Sequence, residues 1–220
     1  MVKQRNTDCW YSKICKDDCT NCITYLQLDW QMKNSGLPTS KQRVINLYVN
    51  EHNKCDTRAF EQLSNIKKSI VDYVETGHNL YICGNNPGNG KTSWAIKLLQ
   101  SYFHHKANGN YEHLLGMYVS TVELLLKLKD FNNPLPARYK ELLETVDVVV
   151  WDDIAITGIS QYDFTQLYSI INNRIFAEKA NIYTSNITNS AQLEKVLGSR
   201  LASRIYGASE IIELKGMDMR

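Results

Sequence analysis

The chain has 220 residues, which is enough for one α/β domain with a small appendage. Its hydrophobic share of 43% is ordinary for a globular protein, and its net charge of +2 argues against binding nucleic acid through bulk charge alone. The N-terminus lacks the apolar core of a signal peptide, and the longest apolar run, residues 148–151, is too short to cross a bilayer. We therefore expect a cytoplasmic protein with no membrane partner.

The N-terminal segment contains a cluster of cysteines. Cys9, Cys15, Cys19 and Cys22 have the spacing C-x5-C-x3-C-x2-C. Four thiolates are enough for a closed tetrahedral Zn²⁺ site, and disulfides are rare in a reducing compartment. We expect structural zinc, while an iron–sulfur cluster, a Cys-x-x-Cys redox pair and free thiols stay open as alternatives. Residues 1–50 are thus predicted to form a separate module that folds on its metal.

Regular structure is predicted from residue 59 onward, after a polar linker at residues 51–58. Apolar residues at helical spacing come first, and short apolar runs then alternate with segments of helical length. Five strands are predicted, at residues 80–83, 117–120, 146–151, 181–185 and 210–214. This alternation indicates a parallel sheet with helices on both faces, in which ligands bind at the carboxyl ends of the strands.

A glycine-rich run follows the first predicted strand and leads into an amphipathic helix. It reads Gly84-Asn85-Asn86-Pro87-Gly88-Asn89-Gly90-Lys91-Thr92, with Ser93 next. In this context the run predicts a phosphate-binding loop for ATP or ADP. We expect Lys91 to reach the β- and γ-phosphates and Thr92 to ligate Mg²⁺. The usual first glycine is displaced by one residue, and Asn85 stands in its place. Because Asn tolerates left-handed backbone angles, we expect the loop to close all the same.

Polar residues follow the third and fourth predicted strands. Asp152 and Asp153 come directly after the apolar run, and Asn186 follows the next strand. We expect Asp152 to hold Mg²⁺, directly or through water, and Asp153 to act as the general base that polarises the attacking water. Asn186, with Ser185 as second choice, is predicted to hydrogen-bond that water or the γ-phosphate.

Arg200 and Arg204 lie four residues apart on a predicted helix between the fourth and fifth strands. A guanidinium near the γ-phosphate neutralises the charge that develops there during transfer, which is a large rate effect. Both arginines are therefore candidates for the catalytic site.

Taken together, these residues resemble the AAA+ ATPases of the DnaC/DnaI helicase-loader group, and most of all the short DnaC-like proteins of bacteriophages. The resemblance covers about residues 59–220. It includes the phosphate loop, Trp151-Asp152-Asp153-Ile154, Thr184-Ser185-Asn186, the arginine pair and residues 215–220. It implies Walker A at Lys91 and Thr92, Walker B at Asp152 and Asp153, sensor 1 at Asn186, and an arginine finger at Arg204 or Arg200 that serves a neighbouring subunit.

The same resemblance implies a fold and a function. The fold is a P-loop AAA+ (ASCE) domain at residues 59–220, without a C-terminal lid, joined to the N-terminal zinc module. The function is ATP-dependent loading of a DnaB-type replicative helicase onto single-stranded DNA, performed by a hexameric or helical homo-oligomer. Because Asp153 stands where many relatives have the longer Glu, we expect slow ATP hydrolysis.

Two other functions are compatible with the sequence. One is an IstB-like transposition ATPase, which has the same fold, although the cysteine cluster favours the loader. The other is a non-hydrolysing adaptor gated by nucleotide, in which Asp153 is too short to catalyse.

Overall fold

The computed structural model describes residues 9, 22–42, 45–109, 111–128, 135–155, 157–158 and 160–217. Two of the predicted zinc ligands, Cys15 and Cys19, lie outside these residues. Within this part of the chain, none of the helices combines the length and the apolar character needed to cross a bilayer.

A five-stranded parallel sheet forms the centre of the molecule. The strands are β1 (Asn79–Cys83), β2 (Gly116–Ser120), β3 (Val148–Asp152), β4 (Ala180–Ser185) and β5 (Ser209–Glu213). Their order across the sheet is β2-β3-β4-β1-β5, and every neighbouring pair is parallel. The five predicted strands and the P-loop α/β fold are therefore confirmed, with strand bounds that differ by one or two residues.

Helices cover both faces of the sheet. They are α1 (Ile23–Asn34), α2 (Thr57–Lys68), α3 (Ile70–Glu75), α4 (Lys91–Lys106), α5 (Thr121–Leu128), α6 (Leu135–Thr145), α7 (Gln161–Phe176) and α8 (Ser190–Tyr206). The first four contribute to one hydrophobic core and the last four to another. Leu80 and Ile82 of β1 belong to the first core, whereas Tyr81 and Cys83 belong to the second. Burial of both sets explains why the strands are almost continuously apolar.

Helix α1 packs against the same hydrophobic core as α2, α3 and α4. Leu28 and Met32 are buried there, and the Gln31 side chain is tied to the chain that enters β2. Its amide donates to His113 O at 2.9 Å, and its carbonyl accepts from Leu115 N at 2.9 Å. The boundary of the N-terminal module stays a prediction, but residues 23–34 of it share a core with α2, α3 and α4.

The predicted linker at residues 51–58 is exposed at most of its positions, but two of its side chains are buried. Asn53 and Asp56 are buried, and α2 already begins at Thr57. The Asp56 carboxylate accepts hydrogen bonds from Lys215 N at 2.6 Å and Gly216 N at 2.8 Å. The polar composition of this segment predicted a linker because the hydrogen-bond partners of Asp56 lie about 160 residues away in the sequence.

Candidate nucleotide-binding site

The phosphate loop connects β1 to α4 and turns on two glycines. Gly88 has a φ of 71° and Gly90 a φ of 97°. Asn85 does not use the left-handed angles that Asn tolerates, because among the described residues only Asp153 and Glu178 combine a side chain with a positive φ. The loop closes without left-handed angles at Asn85, since the two glycines that follow already supply them.

Gly84 serves a close approach between two backbones. A Cβ at this position would lie 2.1 Å from Leu214 O and 2.5 Å from Asn89 Nδ2. The end of β5 therefore lies directly against the start of the loop, and only a residue without a side chain fits between them.

Lys91 is almost fully buried inside the loop. Its ammonium donates to Gly84 O at 2.8 Å, Asn86 O at 3.0 Å and Asn89 Oδ1 at 2.9 Å. Burial lowers the pKa of Lys91, and the negative charge of Asp153 opposes that shift. Because the loop oxygens hold the ammonium in place, its charge lies next to the cavity that it lines.

A cavity of about 310 Å³ opens at the carboxyl ends of the strands. Predicted site residues from the loop, from β3 and from β4 line it together. They are Pro87, Gly88, Asn89, Gly90, Lys91, Thr92, Ser93, Asp153 and Asn186, and the unpredicted Lys41 joins them. Gly84, Asn85 and Asn86 do not line this cavity, and the Asn86 amide instead donates to Lys215 O and Gly216 O at 3.0 Å each.

Thr92 and Asp152 form the pair that the sequence predicted for Mg²⁺. Thr92 Oγ1 donates to Asp152 Oδ1 at 2.8 Å. Thr184 Oγ1 donates to the same oxygen at 2.7 Å, and the Tyr118 hydroxyl donates to Asp152 Oδ2 at 2.6 Å. A hydroxyl beside a carboxylate is the donor set that a hard divalent cation prefers, so these residues fit Mg²⁺.

Tyr118 and Thr184 are site residues that the sequence reasoning missed. Both lie on strands next to β3. Thr184 stands in the Thr184-Ser185-Asn186 motif without an assigned role, and nothing in the sequence context of Tyr118 marks it as a site residue. Burial and the hydrogen bond to Asp152 raise the pKa of Tyr118, so the phenol stays neutral and donates. Together the two hydroxyls fix the orientation of the Asp152 carboxylate.

Asp153 is the predicted general base, and its backbone φ lies in a region that few residues adopt. Its φ is 51°, and its backbone N–H donates to Thr184 Oγ1 at 3.0 Å. Asp is one of the few side chains that tolerate this conformation. Desolvation in the cavity and the neighbouring Asp152 charge raise the pKa of Asp153 above its ordinary value. A carboxylate with a raised pKa is a better proton acceptor than an ordinary Asp.

Asn186 and Ser185, the two candidates at the end of β4, are placed differently. Asn186 is exposed and lines the cavity. Ser185 is buried, and its Oγ accepts from Ile187 N at 3.0 Å. The structure therefore brings Asn186 to the cavity, while the Ser185 side chain is used in the turn after β4.

Arg200 and Arg204 lie away from this cavity. Gly198 interrupts α8 with a φ of 72° and a ψ of 155°, and both arginines follow it. They line a separate surface depression of about 450 Å³ with Tyr168, Ser199 and Ser203. The Arg204 guanidinium lies 5.2 Å from the ring centre of Phe176, a residue that is 71% exposed. Within one chain neither arginine contributes to the cavity.

The predicted zinc ligands are only partly described. Cys9 is buried and Cys22 partly buried, whereas Cys15 and Cys19 fall outside the described residues. Across the portion of the chain that is described, no three His, Cys, Asp or Glu side chains come together as metal ligands. The zinc site therefore stays a prediction.

Comparisons with known proteins agree with this geometry. A family model described as "IstB-like ATP binding protein" matches residues 25–220, and a search of curated proteins found no match. Among solved structures, the DnaC helicase loader is similar with a TM-score of 0.63 and 23% identity over 84% of this chain and 99% of that chain. DnaI is similar with a TM-score of 0.64 and 21% identity over 86% and 99% of the two chains.

The replication initiator DnaA bound to AMPPCP and single-stranded DNA is a third structural neighbour. Its TM-score is 0.60, with 19% identity over 77% of this chain and 48% of that chain. At these identities the three structures establish a common fold. The family match spans most of the sequence, including every residue of the cavity. The chain therefore belongs to the IstB-like ATP-binding protein family.

Proposed function

We propose that this protein is a slow ATPase that loads a DnaB-type replicative helicase onto single-stranded DNA, as the DnaC-like proteins of bacteriophages do. The observation that carries the ATPase part is the Thr92–Asp152 hydrogen bond of 2.8 Å beside a cavity lined by Lys91, Asp153 and Asn186. This arrangement joins the phosphate loop, a cation-binding acid and a general base at one edge of the sheet.

Each residue has a role that follows from its chemistry. Lys91 and the loop backbone bind the phosphates, and Thr92 with Asp152 would hold Mg²⁺, which neutralises phosphate charge when bound. Asp153 orients the attacking water and accepts its proton. Asn186 hydrogen-bonds that water or the γ-phosphate. Because an Asp reaches one methylene less far than a Glu, we expect modest turnover.

The loading part is supported by the motif resemblance and by the fold. The structural match covers 99% of the DnaC loader chain and 99% of the DnaI chain, and 84% and 86% of this chain. We propose that the ATP site is completed between subunits of a homo-oligomer, with Arg204 or Arg200 as the finger. Their separation from the chain's own cavity supports a role in a neighbouring subunit. The DnaA structure with single-stranded DNA supports a similar DNA partner here.

A loading assay tests this proposal. The protein is mixed with the hexameric helicase of its host or phage, ATP and a circular single strand coated with its binding protein, and unwinding of an annealed primer is followed. We expect unwinding to depend on the wild-type protein and to be lost with Lys91→Ala. Co-purification with the helicase should accompany it, and a lack of co-purification across salt conditions would contradict the loader.

An IstB-like transposition ATPase is the second candidate, and the family match favours it. Such a protein would select duplex target DNA rather than a helicase. ATP-dependent binding to duplex DNA, with neither helicase binding nor primer unwinding, would identify this function. A third candidate, the non-hydrolysing adaptor, would load the helicase with ATP bound and show no phosphate release.

We further propose that Cys9, Cys15, Cys19 and Cys22 bind structural zinc in a module that contacts the helicase. Their spacing and number support a closed tetrahedral site. Metal analysis of the purified protein should find one zinc per chain, and a Cys15→Ser/Cys19→Ser variant should lose it. Iron, or no metal at all, would contradict the assignment.

A further inference from the structure

A lysine from the N-terminal part of the chain lies at the nucleotide cavity. Lys41 ends a short 3-10 turn, Thr39–Lys41, and lines the cavity beside Lys91 and Asp153. It precedes residues 59–220, where the P-loop motifs are found, so the motif spacing does not predict it. Lys41 is therefore the cavity residue that comes from outside the segment containing the motifs.

Two side chains of α4 hold this segment in place. The Gln100 side chain, which is 4% exposed, donates to Lys41 O at 2.6 Å. Further along, Lys97 Nζ donates to Ile45 O at 2.7 Å. Helix α4 begins at Lys91 in the phosphate loop, so the backbone of Lys41 is anchored to the helix that the loop starts.

The segment approaches the cavity from the Asp152 side. Ser35 O accepts from Tyr118 N at 2.7 Å, which places the chain before Lys41 against the edge strand β2. The hydroxyl of the same tyrosine binds Asp152 at 2.6 Å. On the opposite side, no described residue of β5 or of residues 214–217 lines the cavity. Lys41 thus lines the same cavity as Asp153, the proposed general base.

The balance of charge in the cavity also favours a second cationic side chain beside Lys91. Among the described residues, the cationic side chains that line it are Lys41 and Lys91, and the acidic one is Asp153. The triphosphate of ATP carries more negative charge than Lys91 and one divalent cation neutralise. Arg200 and Arg204 line a different depression.

We propose that Lys41 is a second cationic contact to the outermost phosphate of ATP, supplied by the same chain from its N-terminal segment. The inference rests on the proposed ATP site. It assigns a consequence to that site: a nucleotide with a γ-phosphate ties residues 35–42 to the phosphate loop, and ADP does not. The N-terminal segment would then report the state of the nucleotide.

Nucleotide affinity tests this contact directly. A non-hydrolysable ATP analogue and ADP are titrated with Mg²⁺ into the full-length wild-type protein and variants, by calorimetry. We expect Lys41→Ala to weaken the ATP analogue about tenfold and ADP less than about twofold, because a charge-assisted contact to the last phosphate is lost. Lys41→Arg should recover most of the affinity. Lys54→Ala, which removes an exposed lysine outside the cavity, is the matched control and should change neither.

Hydrogen exchange gives a second readout that does not depend on affinity. In the wild type, amides of residues 35–42 should exchange more slowly with the ATP analogue than with ADP. In Lys41→Ala this difference should disappear while the phosphate loop itself stays protected.

Three results would overturn the inference. The first is an unchanged affinity of Lys41→Ala for the ATP analogue, and the second is an equal loss of affinity for the analogue and for ADP. The third is that the amides of residues 35–42 exchange at the same rate with either nucleotide. If Lys91→Ala loses nucleotide binding and Lys41→Ala does not, only the Lys41 contact fails. If the wild type binds neither nucleotide, the proposed ATP site fails with it.

Discussion

The two sides of the phosphate loop are built from different kinds of contact. On the β5 side, Asn86 and Asn89 donate to the backbone of residues 214–216, and Asp56 accepts from the N–H groups of Lys215 and Gly216. On the β3–β4 side, Asp153 and Asn186 face a cavity. One side binds the protein to itself, and the other presents polar groups to a ligand.

This difference assigns the stability of the fold mainly to the β5 side and ligand chemistry mainly to the β3–β4 side. Buried polar groups that are fully hydrogen-bonded stabilise a fold, and leaving them unpaired is costly. Groups that line a cavity contribute to stability much less and to ligand chemistry much more. Lys91 and Asn89 connect the sides, because Asn89 Oδ1 accepts from Lys91 while its amide donates to Leu214 O at 2.8 Å.

The largest loss of stability is expected for Gly84→Ala on the β5 side. The new Cβ would lie 2.1 Å from Leu214 O, a backbone atom that cannot move alone. We expect a loss of at least about 3 kcal/mol in the free energy of unfolding, measured with urea. The control is Gly158→Ala, where φ is +75° but no atom lies within 4 Å, and the expected loss is about 1 kcal/mol. Equal losses for the two variants would contradict the close approach at Gly84.

Asp56→Ala should cost nearly as much on the same side. The carboxylate is 2% exposed, and its removal leaves the N–H groups of Lys215 and Gly216 without their acceptor. A loss of roughly 3 kcal/mol follows from two charged hydrogen bonds of this kind. Glu194→Ala, at an exposed position on α8, should change stability by less than about 0.5 kcal/mol. If Asp56→Ala unfolds like this control, the β5 side does not carry the stability that we assign to it.

The strands were predictable because their apolar runs are short, are bounded by turns and alternate with segments of helical length. Asp152, Asp153 and Asn186 were predictable for a related reason, since the carboxyl ends of parallel strands meet at one edge. Lys41, Tyr118 and Asp56 were not, because their roles depend on contacts between distant parts of the chain. Polar residues with such partners have the same composition as an exposed loop.

Asn85 shows a different limit of the sequence. A single displaced glycine indicates that the loop must compensate, but not where. The compensation lies at Gly88 and Gly90, whose positive φ angles close the turn. The close approach of Gly84 to Leu214 was equally hidden from the sequence, because the two residues are 130 positions apart.

A histidine near the end of α4 has a smaller effect on stability, and this effect involves neither side of the phosphate loop. Burial lowers the pKa of His104 from 6.5 to about 4. The unfolded chain therefore binds this proton first, so stability is full above pH 6.5 and is lost as the pH falls towards 4. Between pH 7 and pH 5 we expect this residue to account for roughly 2 kcal/mol of lost stability.

The measurement is urea unfolding at both pH values. His104→Gln should lose less stability than the wild type on acidification, whereas His52→Gln, at an exposed position, should behave like the wild type. Nucleotide affinity at pH 7 should be the same in all three proteins. An unchanged pH dependence in His104→Gln would show that this imidazole is not kept neutral by burial.

Turnover of Asp153→Asn at saturating MgATP tests the division between the two sides most directly. The Asn side chain tolerates the φ of 51° at this position but cannot accept the proton of the attacking water. The raised pKa of Asp153 means that ionisation of this carboxyl disfavours the folded state, so the variant should unfold no more easily than the wild type at pH 7. We expect turnover to fall at least ~100-fold while ATP still binds. Turnover within a factor of about three of the wild type would contradict the assignment of the β3–β4 side to chemistry.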